Sequence, residues 1–335
     1  MPYKGNGLSF VGIIANPESG KDIRRLVAYG SVFNNQEKVH IVRRVLLGLS
    51  ALGVRQICYM PDYRGIVEGA LADIRIPSKV FPISLSLNGN QEDSRRACRI
   101  MEEQGVRCII TLGGDGTNRA VVKGGVSVPI LPISTGTNNV FPYMIEGTVA
   151  GLAAGLMAMD LVTLDEGTFR STKLEVMRNG EVADLALVDA VVYDDLFVGS
   201  RAIWEMHKVS QIFLNRADPT SIGISSIGGL IEPITPEEPR GLLLELGGDS
   251  VYVTAPIAPG LIKKVFVKST RTLHLDEYVE ISFKPSVLAL DGEREIEIES
   301  GQHVGIRIVK KGPLIVDVPR VMSVATKKGI LRNAR

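Results

Sequence analysis

Cysteine is scarce in this chain of 335 residues: Cys58, Cys98 and Cys108 stand far apart. An odd, sparse count without metal-ligand spacing excludes a disulfide-stapled scaffold and a zinc ribbon, and fits a reducing cytoplasm. Histidine is sparse as well, with four residues scattered at His40, His207, His274 and His303. That scatter argues against a histidine metal centre. Charge of one sign is missing too: the formal net charge is +1 and like charges form no run. A polyanion-binding surface is therefore not expected, and neither is nucleic acid as a partner. "MPYKGNGLSF" shows no apolar segment of the signal-peptide kind. The most apolar stretch, Gly147 to Val162, is too short to span a bilayer and rich in Gly and Ala. It reads as a packed helix. No internal repeat or low-complexity linker is visible.

What is present is a globular composition, 45% hydrophobic and 22% charged. The length suggests about two domains, at roughly 100–200 residues each. The first half alternates strand-like and helix-like segments. "LSFVGIIANP" stops at Pro17. Val39, Val42, Val45, Leu46 and Leu49 then recur at helical spacing up to Gly53. Val54–Pro61 reads as a second strand, and Lys79–Leu87 as a weaker one that Pro82 assigns to an edge. Asn90–Gly105 begins with acidic residues, as a helix does. Val106–Leu112 and Val128–Ser134 are further strands. Such alternation implies right-handed βαβ units around a mostly parallel sheet.

The second half changes character near Asp165. Thr172–Tyr193 holds two alternating runs around Asn179-Gly180, a hairpin signal. Gly199–Leu214 is expected to be a helix. Short β-branched runs bounded by Gly, Pro or Asp follow. The expected architecture is an α/β N-terminal domain with a mostly parallel sheet over residues 1–165. A mainly antiparallel β-sandwich over 166–315 follows, and a tail over 316–335 returns to the first domain.

Three polar loops follow predicted strands. Gly113-Gly114-Asp115-Gly116-Thr117 taken alone reads as a tight strand-to-helix turn or as a phosphate cradle. Its position at the C-terminal end of a parallel strand favours the cradle, because ligands of open α/β sheets bind there. Glycines let backbone amides approach an anion, and the helix that follows aims its N-terminus at it. Asp115 makes sense there as an organiser of Mg²⁺ or as a base for an attacking hydroxyl. Ser134-Thr135-Gly136-Thr137-Asn138-Asn139 repeats the pattern after the next strand. Asn16 to Asp22, with Ser19, Gly20 and Lys21, follows the first strand and half mimics a Walker A loop. The match fails at Ala15 and Asp22, so a P-loop NTPase is excluded. Lys21 reads equally as a point charge for phosphate or as a solvated lysine. A Rossmann dehydrogenase is excluded by the missing G-x-G-x-x-G.

The ordered set "ANPESGKD", "TLGGDGTNRAV" and "STGTNNVFP" resembles the ATP-NAD kinase/AcoX-like family. That family lies within the superfamily of NAD, diacylglycerol and sphingosine kinases. The resemblance continues through "DPTSIGISSIGG", "VTAPIAPG" and "LALDGEREIEI", and so covers most of the chain. It implies an active site between the two domains and Mg²⁺-dependent transfer of a phosphoryl group from ATP to a hydroxyl. The first acceptor it implies is the adenosine ribose 2′-hydroxyl of NAD. Asp115 takes the family carboxylate's place, and Asn138 or Asn139 that of the "GTxN" asparagine. Asp189, Thr220, Ser221, Ser225 and Asp291 take acceptor-side positions. Two departures stand out. The family's Asn-Glu pair becomes Val188-Asp189, and its Thr-Ala-Tyr becomes "GISSI" without the aromatic. Asp291-Gly292-Glu293 reads equally as a surface hairpin turn. Three alternatives stand beside the NAD kinase expectation. They are a kinase of a lipid, a kinase of another small alcohol, and a non-catalytic nucleotide-binding regulator linked to acetoin catabolism. A cytoplasmic homo-oligomer is expected.

Overall fold

The computed structural model describes residues 9–20, 29–30, 33–136, 138–195 and 205–332. In the first unit, β1 (Phe10–Ala15), β2 (Gln56–Tyr59), β3 (Lys79–Pro82), β4 (Cys108–Gly113) and β5 (Ile130–Ser134) form parallel pairs in the order β3-β2-β1-β4-β5. β1, β4 and β5 are buried along their whole length. This is why they read as continuous apolar runs: helices cover both faces. One face carries α1 (Asn35–Leu52), α2 (Ile66–Ala72) and α5 (Gly147–Ala158), joined by α6 (Leu164–Gly167). The other carries α3 (Gln91–Glu103) and α4 (Asp115–Lys123).

Helix limits follow local chemistry. The Asn34 side chain caps α1 by accepting from the Glu37 amide. Gly53, at φ 90°, closes the helix by donating to the Leu49 carbonyl. The Gly/Ala-rich α5 presses directly on α1. A Cβ on Gly151 would lie 2.3 Å from the Val45 carbonyl oxygen, and one on Gly48 would lie 2.5 Å from that of Thr148. The glycines of the most apolar stretch therefore serve a close helix crossing.

The second unit is antiparallel. β7 (Lys173–Arg178) and β8 (Glu181–Ala186) meet at Asn179-Gly180, both with positive φ as a two-residue hairpin turn requires. With β14 (Tyr278–Glu280) and β17 (Val304–Val309) they form the sheet β14-β17-β7-β8. The larger sheet uses β9 (Asp189–Tyr193), β10 (Val209–Leu214), β11 (Arg240–Leu246), β12 (Tyr252–Ala258), β13 (Leu261–His274), β15 (Ser286–Leu290) and β16 (Glu293–Ile298). Its order is β12-β13-β11-β10-β9-β15-β16. Leu174, Val176, Ile306 and Ile308 of the smaller sheet share a core with Ala190, Val192, Phe213 and Leu288 of the larger. The short helix α7 (Ile224–Gly229) covers the larger sheet's other face.

Two expectations are corrected. Gly199–Leu214 is not a helix where it is described. Met206–Lys208 forms one 3₁₀ turn, and Val209–Leu214 is a central strand, because β9 and β11 supply ladder partners on both sides. The first sheet also reaches past the expected boundaries at 165 and 315. It gains β6 (Thr168–Arg170) and β18 (Leu314–Val316), with β18 lying between β5 and β6. α8 (Val318–Lys327) then packs on α5 and α6. Among the described residues no helix is long and apolar enough to cross a membrane.

Gly151→Ala is expected to destabilise the protein by about 1–3 kcal/mol, because the added methyl must displace backbone rather than a flexible side chain. Urea unfolding measures this, and an unchanged midpoint would mean that the helix crossing has room to spare.

Candidate active site

The β4–β5 ladder sets two polar loops side by side. Gly113 is paired with Ser134, and the Thr135 amide donates to the Gly113 carbonyl. β1 brings a third loop, whose Asn16 amide donates to the Leu112 carbonyl. These loops open on a cleft of about 1060 Å³ at the C-terminal edge of the parallel sheet. The turns after β2 and β3 line it as well, and Asp291-Gly292-Glu293 closes it from the second unit. Across the mouth, the Gln91 side-chain amide donates to Glu293.

The glycines are needed for close approach. A Cβ on Gly113 would lie 2.4 Å from the Thr117 hydroxyl, and one on Gly114 would lie 2.7 Å from Asn139 Oδ1. Asn16 Nδ2 donates to the Thr117 hydroxyl at 2.8 Å, and Asn139 Nδ2 donates to the Ser134 hydroxyl at 2.9 Å. Ser19 and Thr135 share a hydroxyl–hydroxyl bond of 2.8 Å. Asn118, fully buried, accepts from the Thr111 hydroxyl and donates to the Gly114 carbonyl. The Asn118 amide makes the first intrahelical bond of α4, to Gly114. The amides of Asp115, Gly116 and Thr117 thus lie ahead of that bond on residues that line the cleft.

Asp115 is the first residue of α4. Its carboxylate accepts from the Phe141 amide at 2.8 Å and from the Val140 amide at 3.1 Å. Burial, joined by the neighbouring Asp291 carboxylate, pushes its pKa up to about 7, although those amides and Arg216 pull it down. Asp291 sits on the β15–β16 turn and accepts from the amides of Leu187 and Val188 at 2.9 and 2.8 Å. Burial raises its pKa against the pull of Arg119, whose Nε lies 3.9 Å away. Arg216 is buried, lies over the Phe141 ring at 4.7 Å and donates to the Ser171 hydroxyl. Burial lowers its pKa, opposed by Tyr143, Asp115 and Asp291.

Most phosphate-side residues expected from the sequence converge here: Asn16, Ser19, Gly20, Gly114, Asp115, Gly116, Thr117 and Asn139 all line the cleft. Gly113, Thr135 and Gly136 stand directly behind them, in contact with Thr117, Ser19 and Asn139. Asn138 adjoins them in the same loop. Lys21 and Thr137 lie outside the described residues. On the acceptor side Asp291 lines the cleft, while Asp189 is buried beside it. Thr220, Ser221 and Ser225 are not among the lining residues. Thr220 and Ser221 donate to Asp218, and Ser225 bonds Arg216 and Asp218 backbone atoms, so these hydroxyls fold the turn after β10.

Three buried cations escaped the sequence reading: Lys38, Arg119 and Arg216. Lys38 had a legible signal, since it falls in helical phase with Val42, Val45 and Leu49 on the apolar stripe. The arginines had none, because only the approach of the two units buries them.

Residues 11–161 match the ATP-NAD kinase N-terminal domain, and residues 172–311 match the acetoin catabolism protein X C-terminal domain. Acetoin catabolism protein X of Cupriavidus necator is 37% identical over 337 residues, spanning 96% of this chain and 94% of that protein. The chain belongs to the acetoin catabolism protein X family. An NAD kinase of Methanosarcina barkeri is 23% identical over 76% of the chain and 88% of its own length. A solved structure from Bacillus anthracis str. Sterne, named with the diacylglycerol kinases, covers 93% of this chain and 98% of its own at a TM-score of 0.45 and 12% identity.

In this member of the acetoin catabolism protein X family the raised Asp115 pKa links stability to pH. The native protein keeps that proton up to about pH 7, whereas the unfolded chain releases it near roughly 3.9. Between those values the native state binds more protons, so Asp115's contribution is lost as pH rises through the window. Asp115→Asn cannot titrate. Its stability relative to the parent is expected to improve from about pH 4 to pH 7 and then level off. Urea unfolding at a series of pH values tests this, and a pH-independent difference would refute it.

Proposed function

We propose that the protein transfers a phosphoryl group from ATP to the hydroxyl of a small molecule, with the adenosine ribose 2′-hydroxyl of NAD as the first acceptor. The observation that carries this reading is Asp115. Its half-buried carboxylate lies at the head of α4, beside the amides of the helix's first turn and at the meeting point of the glycine loops. A pKa near 7 suits a general base at neutral pH.

In this mechanism the first-turn amides of α4 and the loops at 16–20 and 134–139 hold the phosphates, which is mostly positioning and charge stabilisation. Asp115 takes the proton of the attacking hydroxyl. Among the described residues no three His, Cys, Asp or Glu side chains converge as a closed metal cage. Mg²⁺ asks for less, since it is commonly bound through one or two carboxylates, waters and substrate phosphates. Asp115 and Asp291 fit that donor set. Bound there, the ion would neutralise charge on the transferred phosphoryl group.

One observation favours a different acceptor. Val188 packs in the apolar core where NAD kinases carry a polar residue, and the hydroxyls of Thr220, Ser221 and Ser225 are engaged in their own turn. Another small alcohol then becomes the substrate, or the protein binds nucleotide without turnover as a regulator.

Incubation with ATP, Mg²⁺ and NAD followed by assay for NADP tests the main reading. ADP release with other alcohols tests the second. Asp115→Asn is expected to lower turnover by about 10²–10⁴-fold while the fold persists. Near-parental turnover in that variant would remove Asp115 from its role.

A further inference from the structure

Lys38 lies in the first turn of α1 and is 0% exposed. Its ammonium donates to the carbonyls of Asn16, Pro17 and Ser19 at 2.9, 3.2 and 2.8 Å, and reaches Asn35 Oδ1 at 3.1 Å. A buried lysine is costly, and one that gathers three carbonyls of a single loop fixes the loop's backbone. A trans peptide points its carbonyl and its amide to opposite sides. Drawing the Pro17 and Ser19 carbonyls toward Lys38 therefore turns the amides of Glu18 and Gly20 away from it. The Glu18 amide is taken by Asn16 Oδ1. The Gly20 amide is turned from Lys38 on a residue that lines the cleft.

Gly20 itself adopts φ 74°, and a Cβ there would lie 2.7 Å from the Thr135 carbonyl oxygen. The Ser19 amide bonds the Asn16 carbonyl, so the Gly20 amide is the donor that this left-handed turn presents, in an anion-binding form of backbone. The Ser19 hydroxyl, bonded to Thr135, ties this turn to the neighbouring loop.

We propose that Lys38 is a positioning residue for polyphosphate. It turns the 16–20 loop so that the Gly20 amide faces the cleft, and it sets a fixed positive charge beneath the bound phosphates. The ligand in this inference rests on the phosphoryl-transfer reading, whereas the control of the loop by Lys38 can be measured without any ligand.

The test compares the full chain with Lys38→Met and Lys38→Arg. Methionine keeps the length and loses the donors. Arginine keeps the charge, but its planar fork cannot serve carbonyls grouped around an ammonium. Hydrogen exchange over residues 16–20 reads the loop, and calorimetry with MgATP and with inorganic triphosphate reads the site. Lys38→Met is expected to lose protection in the loop and to bind both ligands at least tenfold more weakly. Lys38→Arg should fall between it and the parent, and serves alone if the methionine variant does not fold. Where turnover is measurable, KM for ATP should rise more than kcat falls. Unchanged protection and affinity within twofold in either variant would overturn the proposal. A parent protein that binds neither ligand would overturn the phosphate-site reading instead, and would leave the exchange result to judge the loop alone.

Discussion

The bond between the Asp115 carboxylate and the amides of Val140 and Phe141 is the constraint on which the rest of the cleft depends. Asp115 belongs to the turn after β4, and the two amides belong to the segment after β5. One half-buried side chain thereby spans two crossovers and holds their loops in register. It also keeps the Asp115 carboxylate beside the amides of α4's first turn. The same bond fixes Phe141, whose ring carries the Arg216 guanidinium. Loops of glycine and small polar residues have little stiffness of their own. Here a carboxyl cross-brace in a low-dielectric setting, where hydrogen bonds are strengthened, supplies it.

A second brace of the same chemistry lies within the second unit, where it packs on the first. Asp291 accepts from Leu187 and Val188, which themselves pack into the core beneath α3 and α4. The acidic turn of the β15–β16 hairpin is therefore anchored to the floor of the first unit rather than hanging over the cleft. β18 adds covalent continuity, since it leaves the second unit and inserts in the first sheet between β5 and β6. The strand next to it is β5, which feeds the Asn138-Asn139 loop. The geometry of the cleft is thus tied to both units at both ends of the second one.

The glycine loops and the α/β order were legible because local chemistry dictates them. A continuous apolar run ending in Gly-Gly-Asp-Gly has few structural solutions, and Asn179-Gly180 has essentially one. Three things were not legible, each for a non-local reason. Val209–Leu214 becomes a strand because β9 and β11 flank it, and no property of those six residues states that. One side of the first sheet is completed by residues 314–316 and 168–170, which meet only in three dimensions. Arg119 and Arg216 are buried only where the two units meet. Thr220, Ser221 and Ser225 show the converse. Their residue types suit ligand contact, but the Asp218 and Arg216 backbone atoms within reach give their hydroxyls local work.

The charge pattern of the cleft follows from the same separation between visible loop and hidden support. Glu18, Asp62, Glu92, Asp93, Asp115, Asp291 and Glu293 line it, and among the described lining residues none is Lys, Arg or His. A polyphosphate entering such a space meets acidic side chains first. On the proposed phosphoryl-transfer reading, the described residues offer attraction from backbone amides, from a divalent ion brought with the phosphates, and from cations set behind the wall. Lys38, Arg119 and Arg216 occupy that rear position, at 0%, 1% and 3% exposure. Buried charges are screened far less by salt than a surface lysine would be. They also cannot swing out to bind an anion without the loops in place. On that proposed reading, the acidic front suits phosphates that arrive with a divalent ion, and the buried cations add attraction from behind the loops.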